Sequence, residues 1–266
     1  MSANQNKHKE EVIVSLTSFP AAIHYAIGAV KSILAGSVLP DKVVLYLTFS
    51  QFGEKGMPEE LTALAKENPI FEIRNYDRDI RSYRKLVPAL QDFPEAVIVT
   101  VDDDVDYHSD MLYSLLNLHE RYPDFILAHR AKRVAMGKPY RKWHKFRWYS
   151  FLGKKIQPGY NRMQTGCAGV LYPPHSLKPD MIDVELFTQL APTADDFWFW
   201  AAAVANGKKI LPVPFGPHNK PRGLGKPKEL SLKTINFKSG KDRNDAALRA
   251  ILEKYPVIRQ RIEKRK

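Results

Sequence analysis

Short β-branched runs alternate with apolar positions at helical spacing through the first half of the chain. Residues 12–16 read as a strand that stops at Thr17-Ser18-Phe19-Pro20. Ile23, Ile27, Val30, Ile33 and Leu34 then share one helical face as far as Gly36. Residues 43–47 predict a second strand, Pro58 opens a helix carrying Leu61, Leu64 and Ala65, and residues 71–73 predict a third strand. A helix around 83–90 precedes residues 96–101, the strongest buried-strand signal here. Ser109 is placed to cap a helix carrying Leu112, Leu115, Leu116 and His119. Repeated strand–helix units of this size predict an α/β fold, with a mostly parallel central sheet flanked by helices. Ligands are then expected beyond the carboxyl ends of the strands.

After His129 the rhythm changes. Residues 138–160 are basic and aromatic without a clean period, and predict a long loop or irregular subdomain. Residues 168–172 return to strand character, and a helix from near Ala194 runs to Asn206-Gly207. Residues 212–228 hold five prolines and three glycines, which predicts a mobile loop, and residues 245–254 predict a last helix. The expected organisation is a polar tail (1–10), one α/β domain (11–256) with halves at 11–130 and 131–256, and a basic tail (257–266).

Composition narrows the picture. With 44% apolar and 26% charged residues in 266, the chain is expected to fold around a large core. A single cysteine, Cys167, excludes an internal disulfide framework and a cysteine-built zinc site. The polar first ten residues predict no leader, and the longest apolar run (197–205) falls far short of the ~20 residues that span a bilayer. A soluble, cytoplasmic protein is the expectation. The net charge of +12 is uneven: residues 129–162 contain eleven Lys/Arg and no acid. An anionic partner follows, with nucleic acid, phosphosugars, nucleotide diphosphates and acidic lipid all open.

Candidate chemistry lies in the acids. Asp102, Asp103, Asp104 and Asp106 follow directly on the strand 96–101. Two carboxylates ~5 Å apart repel by roughly 3 kcal/mol at an effective dielectric near 20. A hard divalent cation, Mg²⁺ or Mn²⁺, neutralises such a cluster, with Asp104 the first expected ligand and Asp102 the second. An acidic turn leading into a helix is the other reading. Asp195-Asp196 fit either the first turn of a helix, with Thr193 and Asp196 as a capping box, or a general base on a rigid helix start. The Gly166–Gly169 turn suits close approach to a ligand or a plain tight turn. His218 either completes a metal site or is exposed. Phosphate-loop, dinucleotide-fingerprint and nucleophile-elbow motifs are absent.

Taken in order, these pieces resemble GT-A fold glycosyltransferases. Val14-Ser15-Leu16-Thr17-Ser18-Phe19-Pro20, Ser82-Tyr83-Arg84-Lys85-Leu86-Val87-Pro88-Ala89-Leu90, Gly169-Val170-Leu171-Tyr172-Pro173-Pro174 and Pro192-Thr193-Ala194-Asp195-Asp196 are similar to family-2-like bacterial enzymes of surface-polysaccharide, lipopolysaccharide or capsule synthesis. The likeness runs from Val12 to about Tyr255, with 11–130 as the nucleotide-sugar half and 131–256 as the acceptor half. It implies a nucleotide-sugar donor (a UDP-sugar by preference), Mn²⁺ or Mg²⁺, and inverting transfer to a hydroxyl of a saccharide or lipid-linked saccharide. The Asp-x-Asp motif maps onto Asp102 and Asp104, and the acidic pair of inverting members onto Asp195 and Asp196. The triplet departs from the pattern in its acidic middle residue, Asp103, and Ala21-Ala22 stand where a basic residue is expected.

The roles implied are specific. Asp196 is the base and Asp195 orients the acceptor or caps the helix. Thr17 and Pro20 border the nucleoside, while Arg81 and Lys85 meet donor phosphates beside Asp102 and Asp103. Gly166, Gly169, Trp143 and Trp148 contact the acceptor, and Asp104, Asp102 and His218 are the metal set. A peripheral contact with an anionic membrane, on its inner face, is expected and nucleic acid is not. The rivals are a metal-dependent nuclease or nucleic-acid-binding protein, using the same acids and basic patches, and a non-catalytic membrane-surface adaptor.

Overall fold

The computed structural model describes residues 10–147, 156–230 and 243–264. Its strands are β1 (Val12–Thr17), β2 (Lys42–Leu47), β3 (Phe71–Asn75), β4 (Val97–Thr100), β5 (Val105–Asp106) and β6 (Ile126–Ala128). After them come β7 (Ala131–Arg133), β8 (Arg162–Gln164), β9 (Val170–Tyr172), β10 (Ile210–Pro212) and β11 (Arg222–Gly223). The helices are α1 (Ile23–Leu34), α2 (Glu59–Glu67), α3 (Val87–Asp92), α4 (Met111–His119), α5 (Val184–Leu190), α6 (Asp195–Ala205), α7 (Arg243–Lys254) and α8 (Pro256–Glu263).

The near-continuous apolar runs of β1, β2 and β4 are those of strands buried on both faces. Alternate residues go to opposite cores. Val12, Val14 and Leu16 of β1 join one cluster with α1, α2 and α4, whereas Ile13 joins the other with α3, α5, α6, α7 and α8. Seven strands order as β10-β6-β9-β4-β1-β2-β3. All neighbours are parallel except those of β9, which runs antiparallel to β4 and β6. The register of β1 against β4 aligns Ser15 with Thr100, so Thr17-Ser18 and the aspartates after Val101 emerge at the same end of the sheet. Among the described residues no helix is long and apolar enough to cross a membrane.

α6 is apolar all round and buried throughout except at Asp196, which marks it as a central helix rather than an amphipathic one. The Trp198 indole N–H donates to the Met181 carbonyl (2.6 Å) and that of Trp200 to the Tyr160 carbonyl (2.9 Å). Both bonds fix the helix about its axis, and so fix where Asp195 and Asp196 stand.

Three local expectations are corrected. α4 begins after Asp110, and the Ser109 carbonyl instead accepts the Ser37 N–H (3.0 Å). The residue before α6 is Ala194, with no side-chain cap, so Thr193 and Asp196 form no capping box. The Pro/Gly-rich loop is fastened: β11 pairs antiparallel with β5, and the Leu224 N–H donates to the Asp104 carbonyl (2.8 Å). The leucine side chain covers Gly28, where an added Cβ would come within 3.0 Å of it.

Candidate active site

β1, β4 and the start of α6 deliver their polar ends to one cavity of ≈ 1460 Å³. Thr17, Pro20, Arg81, Lys85, Asp102, Asp103, Asp104, Asp195 and Asp196 all line it. Segments more than ninety residues apart thus meet as the strand order requires: the crevice lies where chains leave the carboxyl ends of parallel strands.

Lys85 is the hub. Its ammonium lies 3.0 Å from Asp102 Oδ1 and 3.0 Å from Asp195 Oδ2, and its side chain is 7% exposed. Burial pulls its pKa down, but Asp102, Asp195 and Asp196 outweigh that and hold it well above the ordinary lysine value. Asp196 has no such partner. Its Oδ1 accepts the Gly166 N–H (3.1 Å), while burial, then the charge of Asp195, raise its pKa from 3.8 to about 7. Glycine at 166 is a requirement of packing. A Cβ there would lie 2.7 Å from Lys85 Nζ, 3.2 Å from Asp196 Oδ1 and 3.4 Å from Asp102 Oδ1.

The acidic turn is neutralised by a second lysine. Lys226, from the loop fastened by β11, sits 2.7 Å from Asp103 Oδ1 and 3.5 Å from Asp104 Oδ2. Ser18 Oγ donates to the other oxygen of Asp103 (2.6 Å), so Asp103 is committed to protein partners and only 10% exposed. Asp102 and Asp104, at 30% and 33%, keep about a third of their surface open to the cavity.

Beneath Thr17 lies a residue that sequence reasoning left without a role. Arg84, 3% exposed, donates through Nε to Thr17 Oγ1 (3.0 Å), and through its other nitrogens to Thr48 Oγ1 and the Ser18 carbonyl (3.4 Å). The nearest acid, Asp79, is 3.9 Å away, and burial lowers the guanidinium pKa. Arg81, three residues earlier, has φ of 52° with its N–H bonded to Asp79 Oδ1 (3.1 Å). A non-glycine residue in the left-handed region is uncommon, and this one points the turn at the cavity wall.

Other expected site residues lie elsewhere. Trp143 is 3% exposed, its indole N–H donating to the Lys138 carbonyl (3.0 Å) and its ring packed on Tyr140 and Phe197. It belongs to the core and offers no face to a sugar. Trp143→Ala is therefore expected to cost about 3–5 kcal/mol of stability, read by denaturant unfolding. An unchanged midpoint with a raised acceptor KM would contradict the packing role. Gly169 has φ of 99° and lies against Met111, His129 and Leu115, so its glycine serves backbone conformation and packing under α4. Gly166 acts through Asp196 and does not itself line the cavity. Trp148 lies outside the described residues. His218 bonds the Pro214 carbonyl (3.2 Å) and faces the His129 ring at 5.0 Å, away from the aspartates. Among the described residues no group of three or more His, Cys, Asp or Glu is arranged around a common metal position. Cys167 lines the cavity beside Arg130, whose Nη1 lies 2.9 Å from its sulfur, and burial pushes the thiol up to about 11, which keeps it protonated.

Neither Lys226 nor Arg84 carries a sequence signal for its place in the site, for different reasons. Arg84 stands in a short basic stretch (Arg81, Arg84, Lys85) whose spacing does not distinguish the buried cation from the others. Lys226 is 123 positions from Asp103 in a proline-rich loop with no signal of its own.

No protein-family model matches the chain, and no curated protein sequence matches it. Solved structures do. A 4-diphosphocytidyl-2C-methyl-D-erythritol synthase aligns over 86% of this chain and 99% of its own at 14% identity, with a TM-score of 0.42, too low to bear on the fold. The mannosyltransferase PcManGT from Pyrobaculum calidifontis, solved with GDP-Man and Mn²⁺, aligns over 97% of this chain and 75% of its own. Identity is 14% and the TM-score 0.52. With the seven-stranded, mostly parallel sheet flanked by helices, this likeness gives the chain a GT-A-like Rossmann fold.

Proposed function

We propose that the protein is a glycosyltransferase that moves a sugar from a nucleotide-sugar donor to a hydroxyl of a saccharide acceptor by single displacement, with inversion. The observation that carries this is Asp196. A carboxylate on a rigid helix start, bound by one backbone N–H and raised to about 7, opens on the cavity that receives the acidic turn after β4. A base poised near the working pH accepts a proton from a hydroxyl efficiently and is charged enough of the time to do so. Asp196 takes the acceptor proton as its oxygen attacks the anomeric carbon, and the nucleoside diphosphate departs. Lys85 fixes Asp195 and Asp102 on either side, Arg81 meets the donor phosphates, and Thr17 and Pro20, with Arg84 beneath Thr17, form the nucleoside end.

The residues fit a hard divalent ion. Asp102 and Asp104 are oxygen donors partly open to the cavity, and two carboxylates completed by substrate phosphate and water are an ordinary Mg²⁺ or Mn²⁺ set. His218 is not needed for it. Bound there, the ion supplies positive charge to the leaving diphosphate. The bacterial surface-glycan setting, the UDP preference and a peripheral membrane contact belong to the same reading, supported by the sequence resemblance.

The test is a thermal-shift panel of UDP-, GDP-, CMP- and TDP-sugars with and without Mn²⁺. One nucleotide is expected to raise Tm in a metal-dependent way, and Asp104→Ala to remove that dependence. No shift with any of them, in either condition, overturns the proposal.

A further inference from the structure

The cavity has a second set of cations that the donor does not explain. Arg130, Arg141 and Lys145 line it, and among the described residues no carboxylate lies within ion-pair distance of any of the three. Nor does the local chain supply one: residues 129–162 contain no acid at all. Lys85 and Lys226, by contrast, are each matched to two aspartates. Arg141 and Lys145 are exposed, and the sulfur beside Arg130 belongs to a thiol that stays neutral.

The segments that carry these cations pack against those that hold the base. The Tyr140 N–H donates to Asp245 Oδ1 on α7 (2.8 Å), and the Tyr140 ring packs edge-on against Phe197 (4.7 Å), the residue after Asp196. The Lys132 ammonium lies 3.4 Å over the same ring. Arg130 reaches Cys167, next to the Gly166 N–H that holds Asp196. Like charges gathered along one concave wall raise a positive potential there, which favours an anionic occupant. The donor diphosphate already has Lys85, Lys226 and the ion of Asp102 and Asp104, so these three cations match a second anion, on the acceptor side.

We propose that the wall formed by Arg130, Arg141 and Lys145 binds an oxyanion of the acceptor, so that the acceptor is a phosphorylated or carboxylated saccharide. This rests on the glycosyltransferase reading and adds the substrate class to it. Guanidinium groups suit both oxyanions, through paired N–H donors.

The experiment is calorimetric titration of the wild type and of Arg141→Gln/Lys145→Gln with inorganic phosphate, glucose 6-phosphate, glucuronate and glucose. The donor end is first saturated with whichever nucleoside diphosphate binds with Mg²⁺. The wild type is expected to take up at least one oxyanion probe and not glucose. The double variant should bind that probe at least tenfold more weakly, and Arg141→Lys, which keeps the charge but loses the paired donors, should fall between it and the wild type. A phosphate preference names a phosphorylated acceptor and a glucuronate preference an acidic sugar. Equal affinity in wild type and double variant, or no oxyanion uptake by the wild type, overturns the inference. So does charge-dependent binding of a single-stranded oligonucleotide or of phosphatidylglycerol vesicles without any small-oxyanion uptake. If no nucleoside diphosphate binds, the donor reading fails by itself, and the same titrations without it still decide the role of the wall.

Discussion

Asp196→Asn is expected to abolish sugar transfer, by about a thousandfold or more, and at the same time to make the protein more stable above neutral pH. The two effects share one cause. A carboxylate raised from 3.8 to about 7 is held in an environment that disfavours its charge. Because the folded-state pKa lies above the unfolded one, its favourable contribution is complete below pH 4 and is lost as the pH rises through about 7. Asparagine keeps an oxygen to accept the Gly166 N–H and carries no charge, so it escapes that loss. The gain should be about 4 kcal/mol at pH 8, roughly 8–16 °C in Tm for a chain of this size, and should vanish at pH 4. Scanning calorimetry at the two pH values reads it directly. In wild type, the acid limb of kcat/KM should rise to a plateau above pH 7. Undiminished transfer by the purified variant would remove Asp196 from the role of base.

Lys85→Met should be the most destabilising single change in the site, by about 3–5 kcal/mol near pH 8. Methionine preserves the stem but takes away the ammonium that separates Asp102 from Asp195, leaving the buried Asp195 and the half-buried Asp102 uncompensated. The loss should shrink by pH 5, because carboxyl groups deprived of their cation can take a proton instead. Denaturant titrations at both pH values test the sign. A loss that is the same at each would mean Lys85 contributes packing alone. The added Asp195→Asn substitution should recover part of the stability at pH 8, since it removes one of the stranded charges.

What was legible in the chain and what was not divides along a physical line. The run 96–101 ended by aspartates was readable because a strand buried on both faces is a continuous apolar word, and charge following it has to emerge beyond the carboxyl end of the strand. Asp195-Asp196 before Phe197-Trp198-Phe199-Trp200 was readable as a helix start, because a run apolar all round marks a buried helix and its acids fall in the first turn. Facing was not readable. Trp143 in a cationic loop looks identical whether its ring is buried on Phe197 or open to a sugar, because the deciding neighbour lies more than fifty positions away. The glycine of Gly169 serves φ and packing, whereas that of Gly166 serves charge spacing, and their sequence context does not separate the two. Lys226 depends on β11 pairing with β5, a two-residue contact below any periodic signal.

The missing side chain at Gly166 also bears on how this centre can change over generations. Alanine, a single nucleotide step from glycine, would bring a methyl group to 2.7 Å from the Lys85 ammonium and 3.2 Å from an Asp196 oxygen, so the buried ammonium would have to shift. A lineage altering the charge arrangement would have to change position 85 first, through an intermediate with unmatched acids. The arrangement is thus locked by the order in which substitutions can arrive. A library that varies 85 and 166 together, with Asp196 kept, should yield working combinations that stepwise mutation does not reach.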